Sequence, residues 1–375
     1  MPELDSRRQL AKPEFAGEWV RLGDVVKKAK SARCGSDSYP ILSITMHDGI
    51  VEQASRFKKS IASRDTGNYK VVEPGQLVVG FPIDEGVIYV QNFNYPGIMS
   101  PAYDVWDIDS SRVDPSYLEL ALHSPQSMDY YKSNLRGTTA RRRSLPTNTL
   151  CDLTFPLPSL ENQRIVVKRM SMIATLLDDA SSKLSSLDDL VKSQFVEMFG
   201  GNRTVVPMGR LVSSIISGTN VGGQQRPLGD GEYGVLKISS VTKGVFLPNE
   251  FKVVDDVTGV KMIHPRKGDL LFSRANTSEM VGATAIVDRD YDRLFLPDKL
   301  WRLEPAEGVE AVFLKALLSS PSVRSEMSRI STGSSGSMQN ISMAKFKKLS
   351  AFLPPVELQR QFADFVARVD KLGLS

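Results

Sequence analysis

The run Leu157-Pro158-Ser159-Leu160-Glu161-Asn162-Gln163-Arg164 returns, about half the chain later, as Leu353-Pro354-Pro355-Val356-Glu357-Leu358-Gln359-Arg360. Each copy opens on Leu-Pro, which closes an extended segment because proline fixes φ and has no N–H to donate. Each then turns to residues that suit a helix start, with an acid in the first turn. A motif repeated at this distance is the mark of a tandem duplication.

Other pairs keep nearly the same offset and the same order. Tyr39-Pro40-Ile41-Leu42 matches Tyr233-Gly234-Val235-Leu236, and Pro74-Gly75-Gln76-Leu77 matches Lys267-Gly268-Asp269-Leu270. Trp106 matches Trp301, and Leu122-His123-Ser124-Pro125 matches Ser319-Ser320-Pro321 with the leucines before it. Gly137-Thr138-Thr139 matches Gly333-Ser334-Ser335. Ordered matches of this kind predict two similar modules, each a small sheet plus two helices, a Gly-rich basic loop, and a strand ending at proline. Ser124-Pro125 and Ser320-Pro321 predict a break between the two helices, serine capping and proline at the first position.

After the first copy comes a different pattern. Ile173, Leu177, Ala180, Leu184, Leu187, Val191, Phe195 and Met198 recur at spacings of mostly four and three, a coiled-coil stripe. Gly200-Gly201 ends it. The rod would hold about 37 residues and span about 55 Å, whereas the second copy is followed by room for only about 27 Å of helix. The uncovered stripe therefore calls for some other partner. The predicted organisation is a polar arm (1–18), a first module (19–158), a central coiled-coil helix (159–200), a second module (201–355) and a shortened C-terminal helix (356–375). The fold class is α+β.

The bulk composition excludes several classes. A chain of 375 residues with 41% hydrophobic and 24% charged content is an ordinary globular composition with room for two or three domains. No run approaches a membrane span, and no signal peptide is evident. Two cysteines, Cys34 and Cys151, form no disulfide framework and point to a reducing cytoplasm. Scattered histidines and cysteines leave no structural zinc site, so no metal is expected. No phosphate-binding Gly-x-x-x-x-Gly-Lys-Ser/Thr run, no Asn-Pro-Pro-Phe or Asp-Pro-Pro-Tyr run and no nuclease-like acidic cluster is present. His47-Asp48 and His264 stand alone, and no catalytic residue is assigned. The net charge of +4 is modest, but its distribution is uneven. No acid lies between Asp129 and Asp152, where Lys132, Arg136, Arg141, Arg142 and Arg143 cluster. None lies between Glu326 and Glu357, where Arg329, Lys345, Lys347 and Lys348 fall. The same basic gap in both modules points to phosphates.

On the two Leu-Pro-x-x-Glu-x-Gln-Arg runs, the Gly-Thr-Thr and Gly-Ser-Ser runs upstream of them, the paired β-rich modules and the helix between, the chain resembles the specificity (S) subunit of type I restriction–modification systems. That resemblance implies two target recognition domains, each reading half of a bipartite DNA sequence, with helices that set the spacer and dock two modification (methyltransferase) subunits. It implies that restriction subunits join them. It places S-adenosylmethionine, ATP and Mg on the partners, no cofactor in this chain, and directs adenine methylation and restriction through them.

The candidate DNA-binding residues follow. Arg136, Arg141, Arg142, Arg143, Lys345, Lys347 and Lys348 are assigned chiefly to phosphates, with Gly137, Thr138 and Ser334 in the Gly-rich loops and Gly333 allowing close backbone approach. Lys58, Lys59, Lys243, Arg274, Asn276, Gln339 and Asn340 are the candidates for bases. Tyr130 and Tyr131, at helical spacing, read as core. Ile173, Leu177, Leu184, Leu187, Val191 and Met198 are the docking stripe. The rival reading is a coiled-coil protein–protein adaptor without DNA specificity, whose binding would be insensitive to salt.

Overall fold

The computed structural model describes residues 17–56, 66–135, 145–201, 205–333 and 338–373. The chain divides into two compact units, Met1–Asp178 and Asp179–Ser375, with the boundary inside one continuous helix, Leu160–Phe199.

The first unit is built on a four-stranded antiparallel sheet. Its order is Val26–Lys28, Asp104–Ile108, Leu77–Val79, Ile88–Val90. The second unit repeats it with Val212–Ser217, Leu300–Pro305, Leu270–Ser273 and Thr284–Ile286. Gly75 and Gly268, at φ 80° and 87°, open the two inner strands with the same device. Gly75 N–H donates to Gln91 O at 2.8 Å, and Gly268 N–H to Val287 O at 2.9 Å. Each unit is closed by a ribbon, Glu18–Arg21 on Thr154–Leu157 and Val205–Pro207 on Ser350–Phe352. The accessory strands differ. The first unit has two separate pairs, Leu42–Ile44 with Ile50–Glu52 and Lys70–Val72 with Gly97–Met99. The second has one three-stranded sheet, Phe251–Val254, Tyr233–Leu236 and Leu294–Phe295.

One pairing from the sequence is off by two residues. Trp106 lies opposite Leu77, but Trp301 lies opposite Phe272 rather than Leu270. With the inner strands aligned, Trp106 corresponds to Leu303. A shift of two keeps the side chain on the same sheet face, so both indoles still enter the core, at 5% and 2% exposure. Tyr131 is fully buried and its hydroxyl donates to Leu122 O. Tyr130 donates to Thr149 O, so both tyrosines serve the fold.

The helix pairs break where the Ser-Pro runs stand, into Pro115–Leu122 and Pro125–Asn134, and into Ala311–Ser319 and Pro321–Ile330. Ser124 caps as expected, accepting from Ser127 N–H at 3.2 Å. Ser320 does not; its hydroxyl donates back to Leu317 O at 2.7 Å. Two short helices were not foreseen: Thr147–Cys151, which follows the first basic stretch, and Met343–Lys347, which carries Lys345 and Lys347 of the second.

The repeated glutamine explains the repeated motif. Gln163 is fully buried, accepts Asp114 N–H and donates to Arg112 O and Pro158 O. Gln359 is fully buried, accepts Glu310 N–H and donates to Gly308 O and Pro354 O. In both units one amide ties the start of the outgoing helix to the start of the first helix of the pair.

The apolar stripe of the long helix has two fates. From Leu187 onward it packs inward. Phe195 and Phe199 are buried with Phe313, Phe352 and Phe362, and Val191 and Met198 pack against the same core. The C-terminal helix Val356–Gly373 supplies Phe362, whose ring lies 5.5 Å from that of Phe195. Gly373 at its end reaches Leu184 and Leu187, so the two helices run antiparallel. Leu187, Val191 and Met198 are half-buried: Val191 and Met198 pack against this core, and Leu187 lies beside the end of the C-terminal helix. Ile173, Leu177 and Leu184 remain 49%, 63% and 56% exposed. Among the described residues no helix is long and apolar enough to cross a membrane.

Candidate nucleic-acid interface

In the second unit, four residues named from the sequence meet. Just past the inner strand, Ala275–Asn276 pairs antiparallel with Gln339–Asn340, placing Asn276 opposite Gln339. Arg274 precedes the pair and is held on three sides. Its Nε donates to Asp298 O at 2.8 Å, one terminal nitrogen to the Asp298 carboxylate at 3.2 Å, and the other to Asn340 Oδ1 at 3.4 Å. Its guanidinium is a pre-oriented cation whose charge is partly answered, not a free arginine. Asn276 is 8% exposed; its Oδ1 accepts Thr277 N–H, and its Nδ2 has no hydrogen-bond partner among the described residues. An unmade buried hydrogen bond costs about 1–3 kcal/mol, which makes this amide a place to look for function. The buried Nδ2 cannot reach DNA as it stands.

Gln339 Oε1 accepts from Ser331 Oγ at 3.3 Å, and Thr332 and Asn340 exchange backbone bonds at 2.9 Å. Gly333 also has a local steric reason. A Cβ there would stand 2.1 Å from Met338 O, so only glycine allows this close approach of the two backbones. Lys345 Nζ donates to Ile330 O at 2.8 Å, which ties it to the end of the preceding helix. Lys347 and Lys348 are exposed, and the stem of Lys347 packs on Gly209. Lys243 is exposed next to Gly244, on the turn that joins strands of the other sheet, and its charge helps hold the Glu250 carboxyl below its ordinary range after Lys237 and Ser239. Lys243 is thus not part of the Arg274 group.

Lys58, Lys59, Arg136, Gly137, Thr138, Arg141, Arg142, Arg143 and Ser334 lie outside the described residues. His47 and Asp48 line an open hollow with Tyr89, Asn92 and Glu119. Burial pushes the Glu119 carboxyl above its ordinary range, against a 2.6 Å bond from Val90 N–H. Among the described residues no three His, Cys, Asp or Glu side chains are placed to hold a metal ion.

No protein-family model matches the sequence, and no curated protein is significantly similar to it. Solved structures do match. The S subunit of a type I restriction–modification system from M. genitalium is 13% identical, with 96% of this chain and 92% of that chain covered at a TM-score of 0.54. The chain shares the fold of type I S subunits. The HsdS subunit from Thermoanaerobacter tengcongensis is 17% identical over 96% of this chain and 90% of that one, at a TM-score of 0.38. A chain from work on complex assembly and conformational transition of the type I R-M system is 17% identical over 96% and 91%, at 0.47.

Within the S-subunit fold, the duplicated sheets show a position that the sequence reading missed. Gly80 N–H donates to Val87 O and Ser273 N–H to Ala283 O, both at 2.8 Å, so Gly80 corresponds to Ser273 and Phe81 to Arg274. Phe81 is 58% exposed. The signal was present in the shared Pro-Gly-Gln-Leu and Lys-Gly-Asp-Leu marks, counted forward along the strand, but an exposed phenylalanine is invisible without the burial map.

Proposed function

We propose that this chain is the non-catalytic DNA-reading subunit of a type I restriction–modification system. Its two modules recognise the halves of a bipartite target and direct adenine methylation and restriction by partner subunits. The observation that carries the reading is a pair of modules with one sheet topology but unlike surfaces, in a chain that follows the S-subunit fold over 96% of its length. Equal topology with unequal contact residues is what reading two different half-sites requires. In the second module, Arg274, Gln339 and Asn340, beside the buried Asn276, supply a mixed donor–acceptor surface suited to base edges, while Lys345, Lys347 and Lys348 suit phosphates.

Two modification subunits would bring S-adenosylmethionine, and restriction subunits ATP and Mg; none of these is assigned to this chain. The exposed part of the helical stripe, Ile173, Leu177 and Leu184, is the surface left for docking a partner. The test is methylome sequencing of the host with and without the gene. Loss of one bipartite adenine motif is the expected result, and an unchanged methylome defeats the proposal. The adaptor reading is separated by salt: DNA affinity should fall steeply between about 50 and 200 mM, whereas apolar docking should not.

A further inference from the structure

The first module carries an aromatic and cationic patch that no sequence candidate included. Four segments meet at one end of its main sheet. Phe81 follows the inner strand, and its ring lies 6.4 Å from that of Tyr103, which precedes strand Asp104–Ile108. Lys28 ends its own strand and reaches the Asp104 carboxylate at 2.9 Å. Lys70 Nζ donates to the Tyr103 carbonyl, and Arg33 forms a β-bridge with Lys70 while donating to Asn68 O at 2.7 Å. Three cations thus gather where Asp104 is the carboxylate in contact. Lys28 is 55% exposed and Arg33 is exposed, whereas Lys70 is half-buried. Burial holds the Lys70 ammonium below its ordinary range, with Asp104 opposing and with Arg33 and Lys28 adding to the fall.

An exposed phenylalanine ring and three cations thus share one end of the sheet. A duplex satisfies both, offering phosphates to the cations and thymine methyl groups to the ring. Phe81 also occupies the place that Arg274 holds in the second module. We infer that Phe81 with Tyr103, Lys28, Arg33 and Lys70 is the first module's contact with double-stranded DNA. Lys28, Arg33 and Lys70 hold the backbone, and Phe81 meets a thymine methyl in the major groove. This rests on the DNA-reading proposal and gives the two modules different chemistry at one structural position, apolar in the first and hydrogen-bonding in the second.

The test uses the full chain, a duplex carrying the motif that the methylome assigns, and copies with single bases changed or with thymine replaced by deoxyuridine. Phe81→Ala should cut discrimination at one half-site by about tenfold, abolish the penalty for deoxyuridine there and leave the other half-site unaffected. Lys28→Gln with Arg33→Gln should lower the slope of log affinity against log salt by about 2 and leave sequence preference alone. These positions are exposed, so melting curves should match the unsubstituted chain. If that chain discriminates while all variants behave like it, the patch is wrong and the reader stands. If it binds motif and scrambled duplexes alike, sequence reading fails and takes the patch with it.

Discussion

At the scale of single residues, the fully buried amides Gln163 and Gln359 show how a motif can be legible while its reason is not. Their partners lie about 50 positions upstream, on Arg112, Asp114, Gly308 and Glu310. Spacing along the chain says nothing about such a contact. Replacing Gln359 with leucine strands one N–H and two carbonyls without water to answer them. At about 1–3 kcal/mol for each stranded group, Gln359→Leu should cost at least about 3 kcal/mol. Denaturant midpoints of the two proteins would show it. A second residue-scale effect concerns acid. The Arg226 guanidinium, bonded to both carboxylate oxygens of Glu232 at 2.7 Å, holds that carboxyl down at about 2, helped by Gly229 N–H. A folded pKa below the unfolded value stabilises above the unfolded pKa, near 4.3, and is lost as pH falls toward the folded one. Melting temperature should therefore drop more steeply between about pH 4.5 and 2 in the unsubstituted chain than in Glu232→Gln.

At the scale of elements, the long helix stands at Leu160–Phe199, where the sequence places it, because its period is a local property of the sequence. What covers the stripe is a tertiary matter. The C-terminal helix meets it at Phe195 and Phe199 through an aromatic cluster with Phe313, Phe352 and Phe362, and its last residue lies beside Leu187. Phe362→Ala should cost about 3–5 kcal/mol, the range for deleting a buried aromatic ring. Leu177→Ser, on the exposed stretch, should stay within about 0.5 kcal/mol. Chemical denaturation of both variants checks the contrast, and a large loss from Leu177→Ser would mean that the stretch is covered in the free protein. The two Ser-Pro breaks carry a similar lesson. Both prolines stop the preceding helix, since any proline must, but only Ser124 caps the next one. A hydroxyl that can turn either way is decided by its neighbours.

At the scale of the molecule, the helical ruler implied by the S-subunit resemblance leads to a length prediction. Seven residues of helix-forming sequence inserted after Asp178 would add two turns, about 10.5 Å. That corresponds to about three base pairs of duplex at 3.4 Å each. Methylome sequencing of a host carrying the insertion should report the same half-sites with a longer spacer. An unchanged spacer would mean that the helix does not set the spacing.

Duplication, helix period, turn glycines and the absence of catalytic motifs were set by the sequence alone, because each depends on residue type and on spacing along the chain. The register of Trp106 against Trp301, the locked state of Arg274, the need for Gly333 and the exposure of Phe81 were decided only by the tertiary structure. Those depend on which distant backbone arrives opposite a side chain, and on how much water is left around it. Neither quantity is written in local spacing.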